Sequence, residues 1–145
     1  MKKILIISSN FYKDISNKMC NKARRAIEEY KNRKKKYRIK IVSVPGVFEV
    51  PVVISKNIKK YDGFVAIGCV IKGETPHFEF ISNAVTQGIM NLSIQSKKPI
   101  GNGIITCLNM KQAIMRKKKG AEAANAVLSV LSQKWKPHLV LEIIQ

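Results

Sequence analysis

Eight residues from Phe64 to Ile71 run without a charged side chain and stop abruptly at Lys72-Gly73. An apolar run of that length, bounded by a turn, fits a strand buried on both faces of a parallel sheet. A helix then opens at Thr75-Pro76. Thr suits the N-cap, because its hydroxyl can accept from a free backbone N–H two or three residues on. Pro at the first helical position gives up an N–H that would be unpaired anyway. His77 thus falls in the first helical turn, directly after the strand's C-terminal end. In open α/β sheets ligands bind at that end, and the free N–H groups of a helix start favour an anion, most often phosphate. An ordinary strand–turn–helix connection with a surface histidine has the same local signature. The rest of the chain has to decide between them.

Strand and helix signals alternate along the chain. Ile4 to Ser8 reads as a first strand. Ile15, Met19, Ala23, Ala26, Ile27 and Tyr30 recur at helical spacing. Arg38 to Val44 alternates as a second strand and ends at Pro45-Gly46. Phe48 to about Lys59 is predicted helical, with Pro51 tolerated in the first turn. The buried strand leads into a long helix from His77 to about Ser96, with Phe78, Ile81, Val85, Ile89 and Leu92 as its stripe. Pro99 precedes a fourth strand, Ile100 to Cys107. Asn109 to Arg116 makes a short helix. Ala121 to Trp135 makes a last one, with Ala124, Leu128, Leu131 and Trp135 on one face, and an apolar tail from Leu139 to Ile144 follows. This order predicts one domain over residues 1–145: a three-layer αβα sandwich, flavodoxin-like, with a four-stranded parallel sheet and right-handed crossovers. The loops Ser9 to Asp14, Val44 to Glu49, Lys72 to His77 and Thr106 to Asn109 should then converge.

Composition removes several classes. No apolar run reaches the roughly 18 residues a membrane span needs, and the apolar part of the N-terminal segment is too short for a signal peptide. The three cysteines, Cys20, Cys69 and Cys107, have no metal-ligand spacing and suit a reducing cytoplasm as small buried groups. No Gly-x-Gly-x-x-Gly or Walker loop is present, which disfavours dinucleotide and NTP sites. The net charge of +18 would attract anionic substrates or nucleic acid. Its densest run, Lys31-Asn32-Arg33-Lys34-Lys35-Lys36, falls where a helix should end, and cations there complement the helix dipole. No nucleic-acid motif accompanies it.

Set side by side, the converging loops carry a specific resemblance. Val44-Pro45-Gly46-Val47-Phe48-Glu49-Val50-Pro51 resembles the Val-Pro-Gly-Ala-Phe-Glu-Ile-Pro segment of the 6,7-dimethyl-8-ribityllumazine synthase family. Gly68 to Phe78 resembles its Gly-x-Val-Ile-x-Gly-Glu-Thr-x-His-[Phe/Tyr] signature. Gln112-Ala113-Ile114, Arg116 and Lys119-Gly120-Ala121-Glu122-Ala123-Ala124 resemble its C-terminal helices. The likeness covers essentially the whole chain.

The resemblance implies a condensation of 5-amino-6-(D-ribitylamino)uracil with 3,4-dihydroxy-2-butanone 4-phosphate, the penultimate step of riboflavin biosynthesis, with no metal and no organic cofactor. His77 would shuttle protons, a role its chemistry suits near neutral pH. Glu74 and Thr75 would offer backbone N–H groups, and Thr75 its hydroxyl, to the phosphate. Arg116 matches a phosphate-binding arginine, whose guanidinium fork fits paired oxygens; unaided, it reads as a surface arginine closing a short helix. Lys119 would support it. Phe11 matches an aromatic residue that stacks on the pyrimidine, where an aromatic after a strand otherwise reads as core. Val47, Phe48 and Glu49 match a ribityl-binding segment, though Glu49 alone would pass as a first-turn carboxylate. Cys69, Val70 and Ile71 match positions that act through their backbone.

Three features depart from the family pattern. Tyr12 stands where Asn is usual. Asn102 occupies the position of a second aromatic that enters the site from a neighbouring subunit, so stacking should be one-sided or replaced by hydrogen bonding. The turn at Lys117-Lys118 is shortened, which bears on assembly. By resemblance the partners are copies of the same chain, in a homopentamer that can build an icosahedral shell with active sites between subunits, together with riboflavin synthase; nucleic acid and membrane are not among them. Two other classes remain in view: a descendant that keeps the oligomer without activity, and a basic nucleic-acid-binding α/β module.

Overall fold

The computed structural model describes residues 1–30 and 36–133. Four strands form one parallel sheet: β1 (Lys2–Ser9), β2 (Tyr37–Val44), β3 (Gly63–Ile71) and β4 (Ile100–Cys107), in the order β2-β1-β3-β4. β1 and β3 are the inner pair, and both are buried on their two faces, as continuous apolar runs require. β4, an edge strand, alternates instead, with Gly101, Gly103, Ile105 and Cys107 buried and Asn102 and Thr106 exposed.

Helices cover both faces. On one lie α1 (Lys13–Glu28) and α5 (Lys119–Leu131), whose Met19, Ala23, Ala124 and Leu128 pack with Ile4, Ile6, Val65 and Ile67 of the inner strands. On the other lie α2 (Val50–Lys56) and α3 (His77–Ser96), which bury Ile54, Val85 and Ile89 against Leu5, Ile7, Phe64 and Ala66. Burying each such aliphatic side chain contributes about 1.5–3 kcal/mol. The fold is the expected three-layer, flavodoxin-like α/β arrangement.

Local details differ from the sequence reading at helix ends. The segment expected as one helix from Phe48 splits into a 3-10 turn, Val47–Glu49, and α2, which stops at Lys56. Pro51 does sit in the first turn of α2, where its missing N–H breaks no bond. Pro76 occupies the N-cap of α3, one position earlier than expected; Thr75 precedes it and accepts from the His77 N–H at 3.4 Å. α5 begins at Lys119, two residues early, because backbone bonds from Lys119 to Arg116 and from Gly120 to Lys117 carry the shortened turn straight into the helix. Between these helices, α4 (Met110–Met115) is capped by Asn109, whose Oδ1 accepts from the Gln112 N–H at 2.9 Å. The basic run at 31–35, Trp135 and the apolar tail lie outside the described residues.

Candidate active site

Three of the four loops expected to converge do so, above the C-terminal ends of β1, β2 and β3. They enclose a cleft of about 330 Å³. β1 contributes Phe11 and Tyr12 from the turn that opens α1. That turn is tied to the end of β2: the Asn10 N–H donates to the Val44 carbonyl at 2.8 Å, and the Ser43 hydroxyl donates to Asn10 Oδ1. Gly46, Val47, Phe48 and Glu49 form a second wall. β3 ends in Cys69, Val70 and Ile71, and the start of α3 adds Thr75, His77 and Phe78.

Gly68 explains how the second wall comes so close to the sheet. A Cβ at Gly68 would lie 2.5 Å from Val47 Cγ1 and 3.2 Å from Ser9 Cβ. Only a residue without a side chain lets the Val47–Glu49 turn rest on β3. Val47 is buried there, while Phe48 is exposed and Glu49 half-buried. The cleft is thus apolar underneath and lined at its mouth by an aromatic ring, a carboxylate and an imidazole.

The Cys69 side chain is buried on the α1/α5 side with Cys107, and burial pushes its thiol from 9.0 up to about 12, with Cys107 adding to the shift. Such a thiol is protonated and inert at neutral pH. All three cysteines are free and buried. Among the described residues no cluster of His, Cys, Asp and Glu could hold a metal ion.

Other expected site residues lie elsewhere on the chain. Arg116 and Lys119 line a separate pocket of about 410 Å³ with Ile104, Ile105 and Thr106 of β4. The Arg116 guanidinium is anchored there by a 2.9 Å bond from Nη1 to the Thr106 carbonyl. The Lys119 ammonium stands 3.8 Å from the Glu122 carboxylate, an exposed pair of little energetic weight. Asn102 is exposed on edge strand β4, where its Oδ1 accepts from the Ile104 N–H at 3.1 Å and covers one open group of that edge. Glu74 is exposed in the loop before α3 and lines neither pocket. One chain therefore carries two groups: a cleft with Phe11, Val47, Phe48, Glu49, Thr75 and His77, and a cationic pocket with Arg116 and Lys119. The fourth loop, at Thr106, belongs to the second.

The cleft also includes residues that sequence reasoning gave no part in binding, chiefly Tyr12, Gly46, Gly73, Phe78 and Ile81. Phe78 and Ile81 belong to the apolar stripe of α3. Both are half-buried, and the end of a stripe nearest a strand terminus was the available signal.

Comparison with known proteins points one way. The profile of a family described as 6,7-dimethyl-8-ribityllumazine synthase matches residues 1–134. A protein of that name from Novosphingobium aromaticivorans is 37% identical over 144 residues, covering 93% of this chain and 99% of its own. One from Bartonella henselae is 41% identical, with 90% and 87% covered. One from Corynebacterium kroppenstedtii is 35% identical, with 87% and 80% covered. A solved structure titled flavone reductase overlaps 92% of this chain and 66% of its own at a TM-score of 0.46 and 11% identity, too slight a likeness to bear on fold or activity.

Proposed function

The chain belongs to the 6,7-dimethyl-8-ribityllumazine synthase family, and from that premise we propose that the cleft beside His77 is where its reaction takes place. The enzyme condenses 5-amino-6-(D-ribitylamino)uracil with 3,4-dihydroxy-2-butanone 4-phosphate, releasing phosphate and water, in the penultimate step of riboflavin biosynthesis. The observation that carries the assignment of the cleft is its lining: the exposed ring of Phe11, the Glu49 carboxylate and His77 gathered at the C-terminal ends of strands, beside a helix start.

In this reading Phe11 stacks on the pyrimidine, and the backbone of Cys69, Val70 and Ile71 hydrogen-bonds its edge. Val47 and Phe48 flank the ribityl chain, and Glu49 accepts from its hydroxyls. The substrate's amine attacks the ketone, and loss of water gives an imine. Elimination of phosphate follows, and ring closure by the second amine onto the remaining carbonyl expels a second water, each step moving a proton. His77, exposed at the first position of α3, is placed to take and return those protons. Thr75, Glu74 and the N–H groups at the start of α3 receive the phosphate, whose charge the helix dipole favours. No metal or organic cofactor is required for these steps.

Arg116, with Lys119 in support, completes the phosphate site from an adjacent copy, and Asn102 reaches the pyrimidine from the same side. Supporting an oligomer, α3 exposes Phe80, Met90 and Ile94, and α2 exposes Val52. Apolar side chains grouped on neighbouring helices mark an association surface. A homopentamer, alone or built into a shell, is the proposed form, acting in the cytoplasm with riboflavin synthase as consumer of its product. The free cysteines fit that compartment.

The test is direct. Purified protein is mixed with both substrates, and the lumazine chromophore and released phosphate are followed beside an uncatalysed control. Acceleration with the two products in step is expected. No acceleration by folded, assembled protein would overturn the catalytic assignment in favour of a descendant that kept only the oligomer.

A further inference from the structure

Resting on the reading that Phe11 stacks on the pyrimidine, we propose that Tyr12 is a positioning residue that holds the Phe11 ring in its stacking orientation and so sets affinity for that substrate. Phe11 is 73% exposed, so little of the chain's own packing fixes its side-chain torsions. Its ring does meet that of Tyr12, with centroids 5.0 Å apart and planes at 75°, the edge-to-face geometry that aromatic quadrupoles favour. Among the described residues this is the one aromatic pair at the cleft.

Tyr12 is the anchored member of the pair. It is half-buried and packs against the core between the sheet and α1. Its backbone is fixed too, since its carbonyl accepts from the Ser16 N–H at 3.0 Å and so starts α1. Asn10, two residues earlier, is bonded to the end of β2. A ring set firmly in the scaffold therefore presses on a ring set in solvent. Fixing the exposed ring before binding removes part of the ordering cost that a flat ligand would otherwise meet. The contact lies between the rings, so the Tyr12 hydroxyl is not required. A short polar or aliphatic side chain at residue 12 would leave the Phe11 ring free to rotate.

The experiment measures kcat and both KM values for the intact protein and for Tyr12→Leu, Tyr12→Met, Tyr12→Phe and Phe11→Ala, with circular dichroism confirming folding. Tyr12→Leu and Tyr12→Met should raise KM for the pyrimidine about three- to tenfold, with kcat and KM for the ketose phosphate within about twofold. Tyr12→Phe should stay close to the unaltered protein. If Phe11→Ala raises the pyrimidine KM but the folded Leu and Met variants do not, the positioning role is overturned while the stacking role stands. A Tyr12→Phe variant as impaired as Tyr12→Leu, or a rise in both KM values together, overturns it as well. If Phe11→Ala has no effect, the stacking reading fails and takes this one with it. Should Tyr12→Leu not fold, Tyr12→Met and Tyr12→Phe carry the same comparison.

Discussion

Arg116 donates from Nη1 to the Thr106 carbonyl at 2.9 Å, which fixes its guanidinium at the end of β4, in a different pocket from the one His77 lines. The proposed seam between copies unites the two. Assemblies made only of His77→Gln or only of Arg116→Ala subunits should be nearly inactive. Random co-assembly of the two should restore activity at about a quarter of the seams, where each partner supplies the group the other lacks. Turnover of mixed and unmixed assemblies at equal total protein checks this, and absence of any recovery would put both groups in one subunit's site.

His77→Gln keeps a polar side chain of similar reach but cannot carry a proton between partners. The expected loss is about 10²–10⁴-fold in kcat, with KM for both substrates little changed. Steady-state kinetics on the folded variant decides it. A fall below about threefold would remove proton transfer by His77 from the mechanism.

Gly120, in the first turn of α5, lies against α1, where a Cβ would collide with the backbone carbonyl of Met19. Backbone cannot swing aside as a side chain can. Gly120→Ala should therefore destabilise by about 2–3 kcal/mol, the cost of overpacking a tight contact. Gly73 has nothing within 4 Å of such a Cβ, and Gly73→Ala should change stability by less than about 0.5 kcal/mol. Urea denaturation of the two variants makes the comparison.

Burial raises the Cys69 thiol from 9.0 to about 12. The folded state therefore holds its proton over a range where the unfolded chain has lost it, and stability falls as pH rises through that window. Below about pH 9 both states are protonated, and the group contributes no slope. Replacing Cys69 with Ala should flatten the decline between pH 9 and 11 relative to the unaltered protein. Chemical denaturation across that range tests it; equal slopes would mean the thiol ionises without cost when folded.

The four strands and the α-helices between them were legible because their signals are local. β3 is an apolar run throughout and β1 is one from Ile4 to Ile7, and α1 carries Ile15, Met19, Ala23 and Ile27 at helical spacing, all of which are buried. The helix ends were less legible. Whether a turn continues into a helix, as Arg116 to Gly120 does, depends on what the next element packs against: here Gly120 on Met19. The motifs around Glu49 and His77 could be read as parts of one site, since both follow strand ends.

By itself, then, the sequence determined the alternation of strands and helices, the buried strands and the residues that carry chemistry. Each of these follows from hydrophobic periodicity and the donor and acceptor groups of single side chains. Only the tertiary structure decided which of those residues meet. The order β2-β1-β3-β4 brings the turns after β1, β2 and β3 into one cleft, and leaves β4 at the edge with Asn102 exposed and Arg116 in a pocket of its own. Such neighbours are fixed by strand pairing and close packing between segments far apart in the chain, and no local pattern records those contacts.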